Sequence, residues 1–372
     1  MTERVARAAL SRLSEPGDTR LSTLVGTLGA AKVYALLRDE EDVAGVSTDV
    51  ATRLRGLDPE RELEAAGARG IRFICPGDAE WPGWLSDLDH AEPLQGRGGA
   101  PLGLWARGPL SLAEVCRSSA AVVGSRSATT YGTAVAADIA AYLANSGVGV
   151  VSGAAFGIDQ AAHRGALATK GQTVAVLACG VDRPYPAAHK NLLDYIVDVG
   201  LVVSELPPGC SPTRLRFLSR NRVIAALTQG TVIVEAAVRS GALNTAGWAL
   251  RLNRQVMGVP GPVTSAPSEG VHHLIRTRDA SLVTRGEDVL ELLSPVGSFL
   301  TPDARGPDRP RDALTEREQR VLDAVPLFRG ASPGSIARTA GLAVPDVREV
   351  LTRMRGKSLV EGADDLWRLA GQ

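Results

Sequence analysis

At 372 residues, 44% of them hydrophobic, the chain has material for about two to three domains with substantial cores. Its 41 basic and 41 acidic residues cancel, which excludes a uniform field over the molecule and leaves any nucleic-acid site to a local basic surface. Cys75, Cys116, Cys179 and Cys210 show no Cys-x-x-Cys pairing, against a zinc site or disulfide scaffold, and no run approaches the ~20 apolar residues of a membrane span.

The start, Met1 to Arg7, lacks the apolar core of a signal peptide, so the expectation is a cytoplasmic protein with no membrane partner. Arginine supplies nearly all the positive charge, the lysines being Lys32, Lys170, Lys190 and Lys357. A coding bias and bidentate phosphate contact both fit that choice.

Residues 1–66 read as short helices. The stretch Leu21 to Lys32 sets Gly26 and Gly29 between apolar helical faces, which fits a helix-hairpin-helix with turn amides toward a DNA phosphate, or a plain helical cap. From Gly67 to Pro109 the turns Pro76-Gly77 and Trp81-Pro82-Gly83-Trp84 dominate. There, Ile71–Ile74 and Leu102–Ala106 read as short strands extending an edge of the central sheet. Trp81, Trp84 and Trp105 read as loop anchors, with base stacking as the alternative.

Residues 110–294 alternate apolar strands with helical stretches. The strands are Ala120–Val123, Val148–Ser152, Thr173–Ala178, Leu201–Ser204, Thr231–Glu235 and Gln255–Val259, the βαβ rhythm of a Rossmann-like, doubly wound parallel α/β sheet. In such sheets a ligand sits beyond the carboxyl ends of the strands. The first strand ends in Gly124-Ser125-Arg126, before a helical pattern from about Thr133, and the second ends in Ser152-Gly153. Loop amides and a helix N-terminus favour an anion, and Arg126 adds a fork of donors. Farther on, Arg214, Arg216, Arg220 and Arg222 stand in nine residues with no acid among them, on a loop entering a helix over 219–229. Phe217, inside that cluster, reads as a base-stacking ring or a core anchor.

Residues 295–311 read as a linker. Residues 312–372 read as three helices and a hairpin, a winged helix, in which Arg348, Arg353 and Arg355 of the third helix could meet phosphates. Its balance of 10 basic and 9 acidic residues from 311 onward fits an interaction module equally well.

No catalytic set emerges. A Gly-x-Gly-x-x-Gly fingerprint, a ribose-binding acid after the second strand and a Walker loop are all missing, so no cofactor is expected. Asp159 and His163 are too few for a metal and read as an i, i+4 hydrogen bond or a contact holding a loop. Glu235 reads as a general base or as an anchor for loop amides or Arg222. Positive charge spread over a loop and an arginine cluster suits a chain of phosphates, with single-stranded nucleic acid the natural partner if Phe217 stacks.

Val123 to Arg126 with Thr130-Tyr131-Gly132, Ser152-Gly153 through Gly157-Ile158-Asp159, Tyr185-Pro186, Phe217 with Arg220-Asn221-Arg222, Val234-Glu235-Ala236, Ser240 to Leu243 and Val259-Pro260-Gly261 resemble the DNA-processing protein A (DprA/Smf) family. Leu218 and Asp279 depart from that pattern, where Pro and Gly are usual. The resemblance implies a non-catalytic homodimer that binds single-stranded DNA in natural transformation, protects it and loads the RecA recombinase. It assigns phosphate contacts to Gly124, Ser125 and Arg126, a basic contact to Arg214, a base or backbone contact to Phe217, and support to Asn221 and its neighbouring arginines. Duplex DNA stays open as a further partner. Two other functions stand beside it: a Rossmann-like nucleotide phosphoribohydrolase, whose Pro-Gly-Gly-x-Gly-Thr loop is missing, and a regulator reading DNA through the winged helix.

Overall fold

The computed structural model describes residues 1–38, 56–299 and 310–371. Contacts divide the chain into two compact units, Met1–Thr301 and Pro302–Gln372. The expected N-terminal domain, 1–66, therefore shares a unit with the sheet, and its residues 39–55 lie outside the described residues. The expected linker includes 300–309, which lie outside them as well.

The first unit opens with α1 (Glu3–Leu13), α2 (Thr19–Leu28), α3 (Ala30–Arg38) and α4 (Pro59–Gly67). Thr2 and Asp18 cap the first two helices, and Leu10, Leu21, Val25, Val33 and Leu37 form their small core with Leu102 of the sheet region. Gly29 turns between α2 and α3 at φ 83°. The amides of Ala30 and Ala31, which a helix-hairpin-helix would offer to phosphate, instead donate to the Glu3 carboxylate at 3.0 and 3.1 Å. The anion at this turn is thus the protein's own; burial pushes the Glu3 carboxyl up, but the two amide hydrogen bonds and Arg7 outweigh it and hold the group below its usual range.

The chain then runs β1 (Ile71–Ile74), α5 (Asp87–His90), β2 (Leu104–Arg107), α6 (Leu112–Arg117), β3 (Ser119–Val123), α7 (Thr130–Asn145), β4 (Gly149–Ser152), α8 (Ile158–Ala168) and β5 (Thr173–Leu177). It continues through α9 (Lys190–Val199), β6 (Leu201–Ser204), α10 (Arg214–Leu227), β7 (Gly230–Ile233), α11 (Gly241–Arg251), β8 (Gln255–Gly258), α12 (Ala266–Arg276), β9 (Ser281–Leu282) and α13 (Gly286–Leu293). Among the described residues these strands make one sheet, ordered β1-β2-β6-β5-β4-β3-β7-β8-β9. All pairs from β6 to β9 are parallel, whereas β2 joins β6 and β1 joins β2 antiparallel, as expected of an extended edge.

The strands are parallel because they can be buried on both faces: every residue of Ser-Ala-Ala-Val-Val, Gly-Val-Val-Ser and Thr-Val-Ala-Val-Leu is buried. Ala121, Val123 and Val151 pack with Val223, Ile224 and Trp248 of α10 and α11. Ala120, Val122 and Val150 face the other way, onto Ile139, Leu143 and Ala162 of α7 and α8. Trp105 is fully buried, packs at a tilt against Phe73 with ring centroids 4.9 Å apart and donates from Nε1 to Ser11 Oγ at 3.3 Å, while Trp81 and Trp84 pack against the core. All three are anchors in this fold.

The second unit has α14 (Glu316–Ala324), α15 (Pro333–Ala340) and α16 (Val344–Gly356), then β10 (Val360–Ala363) antiparallel to β11 (Leu366–Leu369), the element order of a winged helix. Thr315 and Glu318 close a capping box on α14, and Val321, Ile336, Val347, Leu351 and Met354 fill the core. Arg348 forms a bidentate pair with Asp365 at 3.0 and 2.6 Å, and Arg353 lies 3.6 Å from Glu349. Two of the three arginines expected to meet phosphates thus already face carboxylates.

Candidate functional site

The sheet reverses its winding between β3 and β7: β4, β5 and β6 succeed β3 on one side, and β7 returns to its other side. A ligand crevice is expected beyond the carboxyl ends at such a reversal. There a groove of about 1080 Å³ runs between the loop after β3, the start of α10 and the loop leading into α11. Arg126, Arg214, Arg220 and Arg239 line it, against one carboxylate, Asp159.

The loop after β3 is fixed mainly by its neighbours across the reversal. Ser125 N–H donates to Glu235 O at 2.7 Å, and Ser125 O accepts from Ile158 N at 3.2 Å, joining the loops that follow β3, β4 and β7. The Glu235 side chain, 2% exposed, accepts from Thr129 N at 2.9 Å and Thr129 Oγ1 at 2.6 Å, while Thr129 caps α7. A Cβ on Gly132 would meet that carboxylate at 2.3 Å, so the first turn of α7 needs a glycine there. Of the roles left open for Glu235, anchoring loop amides is the one seen. The Ser125 and Thr129 amides are spent internally, and Arg126, which is exposed, brings side-chain charge to the groove. The helix begins at Thr130, where the sequence reading put its onset near Thr133.

The arginine cluster lies on α10 itself, which starts at Arg214 behind the Thr213 cap; the structure thus corrects the loop and the helix start near 219. The four guanidiniums diverge. Arg214 is exposed at the groove. Arg216 forms a two-point pair with Glu15 at 2.9 and 2.7 Å, toward the N-terminal helices. Arg220 is buried, donates from Nη1 to Val176 O at 3.0 Å and leaves Nε without a partner. Arg222 is fully buried and pairs with Glu205 at 2.7 and 2.5 Å. The expectation that Arg222 contacts phosphate is corrected here: its charge is satisfied inside the protein.

Ser152 and Gly153 are buried and do not line the groove. Ser152 Oγ donates to Val122 O at 2.7 Å, and a Cβ on Gly153 would fall 1.4 Å from Arg220 Nη1, so the missing side chain is what lets Arg220 pass. Asp159 Oδ2 accepts from Gly153 N at 3.1 Å and Ala155 N at 3.4 Å, holding that loop. Burial raises the Asp159 carboxyl and lowers Arg220, while their mutual attraction opposes both shifts. His163 does not pair with Asp159. Its Nδ1 lies 2.8 Å from Thr173 Oγ1, which itself donates to Val150 O, so the network assigns the imidazole proton to Nδ1. Burial, with Arg220 beside it, pushes His163 down to about 3.

Asn221 lines the groove and donates to Gly241 O at 3.2 Å and Asn244 Oδ1 at 3.3 Å, tying α10 to the start of α11. Phe217 is half-buried beneath Arg126, whose guanidinium carbon lies 4.4 Å from the ring centroid. Gly124, Ser125, Arg126, Arg214, Phe217, Arg220 and Asn221 thus come together on one groove. Arg239 was missed because it stands alone in sequence; its place just before the Ser240 cap of α11 was the available signal. Among the described residues no group of three or more His, Cys, Asp or Glu is placed to hold a metal, and no helix is long and apolar enough to cross a membrane.

The family described as DNA recombination-mediator protein A has a sequence model that matches residues 72–294. A protein of Mycobacterium tuberculosis (strain ATCC 25618 / H37Rv), provisionally named DNA processing protein DprA, is 43% identical over 366 residues, 98% of this chain and 94% of its own. The X-ray structure of DNA processing protein A from Streptococcus pneumoniae superposes with a TM-score of 0.64 at 32% identity, covering 78% of this chain and 97% of that one. A structure of DNA processing protein A from Helicobacter pylori, described for its single-stranded DNA binding mode, gives a TM-score of 0.51 at 25% identity, covering 59% and 95%.

Proposed function

The chain belongs to the DNA recombination-mediator protein A family, and from that premise we propose that its groove binds single-stranded DNA as a non-catalytic recombination mediator. The observation that carries this reading is the charge of the groove: four arginines line it against one buried carboxylate. A sugar-phosphate string needs such a trough, and bond breaking would need a nucleophile with a free base. The carboxylate of Glu235 is engaged with Thr129 and the imidazole of His163 with Thr173, which supports a binding role.

The test is a salt titration of single-strand affinity. Arg126→Ala and Arg214→Ala should each weaken binding and make the log–log slope shallower by about 0.7, one phosphate contact apiece. Arg216→Ala, whose charge already faces Glu15, should leave the slope where it is. Unchanged slopes in both groove variants would defeat the assignment. The finer reading is that the protein works as a homodimer, protects incoming strands during natural transformation and hands them to the RecA recombinase. It predicts that RecA filament formation on strands coated by a single-strand-binding protein accelerates when this protein is added, and no acceleration would remove that part. Deleting residues 311–372 separates this function from that of a winged-helix regulator, because groove binding survives the deletion.

A further inference from the structure

The loop after β5 and the turn that leads into α10 are pressed together, and each carries a cysteine. Gly180 N donates to Cys210 O at 3.0 Å. A Cβ on Gly180 would lie 2.8 Å from Pro207 O and 2.9 Å from Gly209 N, so the missing side chain is what lets the two segments meet. The turn closes with Cys210 N donating to Pro207 O at 3.3 Å and with Gly209 at φ 83°. Side chains of the β5 loop fasten it further: Asp182 Oδ1 accepts from Gly209 N at 2.8 Å, and Arg183 Nη1 donates to Gly209 O at 3.1 Å and Ser211 Oγ at 2.9 Å.

The consequence for the two cysteines is geometric. In a planar trans peptide the Cα preceding the donor N–H lies on the same side as the hydrogen, so this bond sets the Cα atoms of Cys179 and Cys210 no more than about 6–7 Å apart, close to the span that disulfides bridge. Both are free thiols, Cys179 buried and Cys210 half-buried. Cys179 Sγ donates to Arg183 O at 3.3 Å. Burial pushes both thiols up, Cys179 to about 11, against the pull of Arg183 on Cys179 and of Arg12 and Arg216 on Cys210. Neither is a ready nucleophile at neutral pH, and the more open of the two, Cys210, is the one an oxidant reaches first.

We propose that Cys179 and Cys210 are a latent dithiol that hydrogen peroxide converts to a disulfide, tying the loop after β5 to the entry of α10. Cys210 Sγ, as the thiolate, attacks one peroxide oxygen; the O–O bond breaks, and the departing hydroxide takes up the thiol's proton as water, leaving a sulfenic acid. Cys179 Sγ then attacks Cys210 Sγ, its proton passing to the sulfenic hydroxyl, so the S–S bond forms as the S–O bond breaks and a second water leaves. The two thiols give up two electrons in all, and the peroxide gains them. Tyr185 of the first segment and Pro212, Thr213 and Arg214 beyond the second line the groove, so the bond stiffens one of its walls.

The experiment treats the full chain with hydrogen peroxide, blocks remaining thiols with iodoacetamide in urea and digests with trypsin without reduction. Trypsin cuts after Lys170, Lys190 and Arg214 and spares the Arg183–Pro184 bond, so the cross-link appears as fragment 171–190 joined to 191–214, two hydrogens lighter than their sum. Dithiothreitol should separate the two. Cys179→Ser should leave a sulfenic acid on Cys210 that dimedone traps, whereas Cys210→Ser should leave Cys179 unlabelled. The midpoint of thermal unfolding should rise by about 5–10 °C in the oxidised wild type, and in neither serine variant, as the closed loop restricts the unfolded chain.

The proposal is overturned if both cysteines emerge alkylated after peroxide treatment. It is equally overturned if Cys210 is joined to a second chain or driven to sulfinic acid with no fragment linking 171–190 to 191–214, or if the linked chain melts no higher than the reduced one. None of these readings involves DNA, so the outcome stands apart from that of the groove.

Discussion

Replacing Arg222 by Met tests whether the interior of α10 is held by charge compensation and not by contact with a ligand. The Arg222 side chain is 0% exposed and the Glu205 side chain 12%, with two parallel N–H···O contacts between them at 2.7 and 2.5 Å. Arg222 also donates to Ser219 O at 3.1 Å. Arg222→Met leaves the Glu205 carboxylate nearly buried with no counter-charge, which costs about 3–5 kcal/mol in comparable pairs. Glu205→Met alone strands the guanidinium and should cost a similar amount. Because replacing both partners by apolar groups removes the stranded charge, the double variant should be more stable than either single one, a coupling of several kcal/mol. Denaturant midpoints of the full chain give the four corners of the cycle. Costs that add to within about 0.5 kcal/mol would refute the pair as a coupled unit. A salt slope for single-strand binding that becomes shallower by about 0.7 in a folded Arg222 variant would show that the residue reaches phosphate after all.

Glu235→Gln should lower stability by about 1.5–3 kcal/mol, because the amide cannot accept from both Thr129 N and Thr129 Oγ1 with charge assistance; an unmoved thermal midpoint would refute its anchoring role. Gly165→Ala should destabilise by about 1–3 kcal/mol through overpacking, its Cβ falling 2.2 Å from Ala137 O where α8 crosses α7, and a stabilised variant would show that helix propensity outweighs the contact. His163 titrates near 3 folded and near its ordinary 6.5 unfolded, so between those values the unfolded chain binds the extra proton. Stability is therefore lost as pH falls below about 6.5, by up to about 1.4 kcal/mol per pH unit from this residue. His163→Gln should show a shallower decline between pH 6.5 and 4, and parallel curves would refute the assignment.

The parallel strands were legible because burial on both faces leaves only apolar or small residues, and the strands from Ser119 to Gly258 lie within a residue or two of the apolar runs. The two-residue β9 was missed, being too short to carry a pattern. The anion loop after β3 was legible from Gly124-Ser125-Arg126, but the use of its amides was not, since the acceptor for Ser125 is the carbonyl of Glu235, far along the chain. Misreading the arginine cluster has the same cause. A run of guanidiniums without adjacent acids looks like free charge, yet Arg216 finds Glu15, 201 positions away, and Arg222 finds Glu205, 17 positions away. Thr213 was the cap signal that could have started α10 at Arg214. Glu3 filling the α2–α3 turn is a further case of an internal partner that spacing cannot reveal.

The strand order obliges α10 to carry the chain from β6 back across the sheet to β7, and every residue from Ser219 to Leu227 is buried on that passage. One rod is thus half wetted tip and half keystone. Selection for a different polymer, or a tighter grip, has liberty only in its opening turn at Arg214 and in the loops that meet it, since any alteration beyond Leu218 is felt first by the architecture. Families built this way should diversify at the rim while their spine stays nearly frozen.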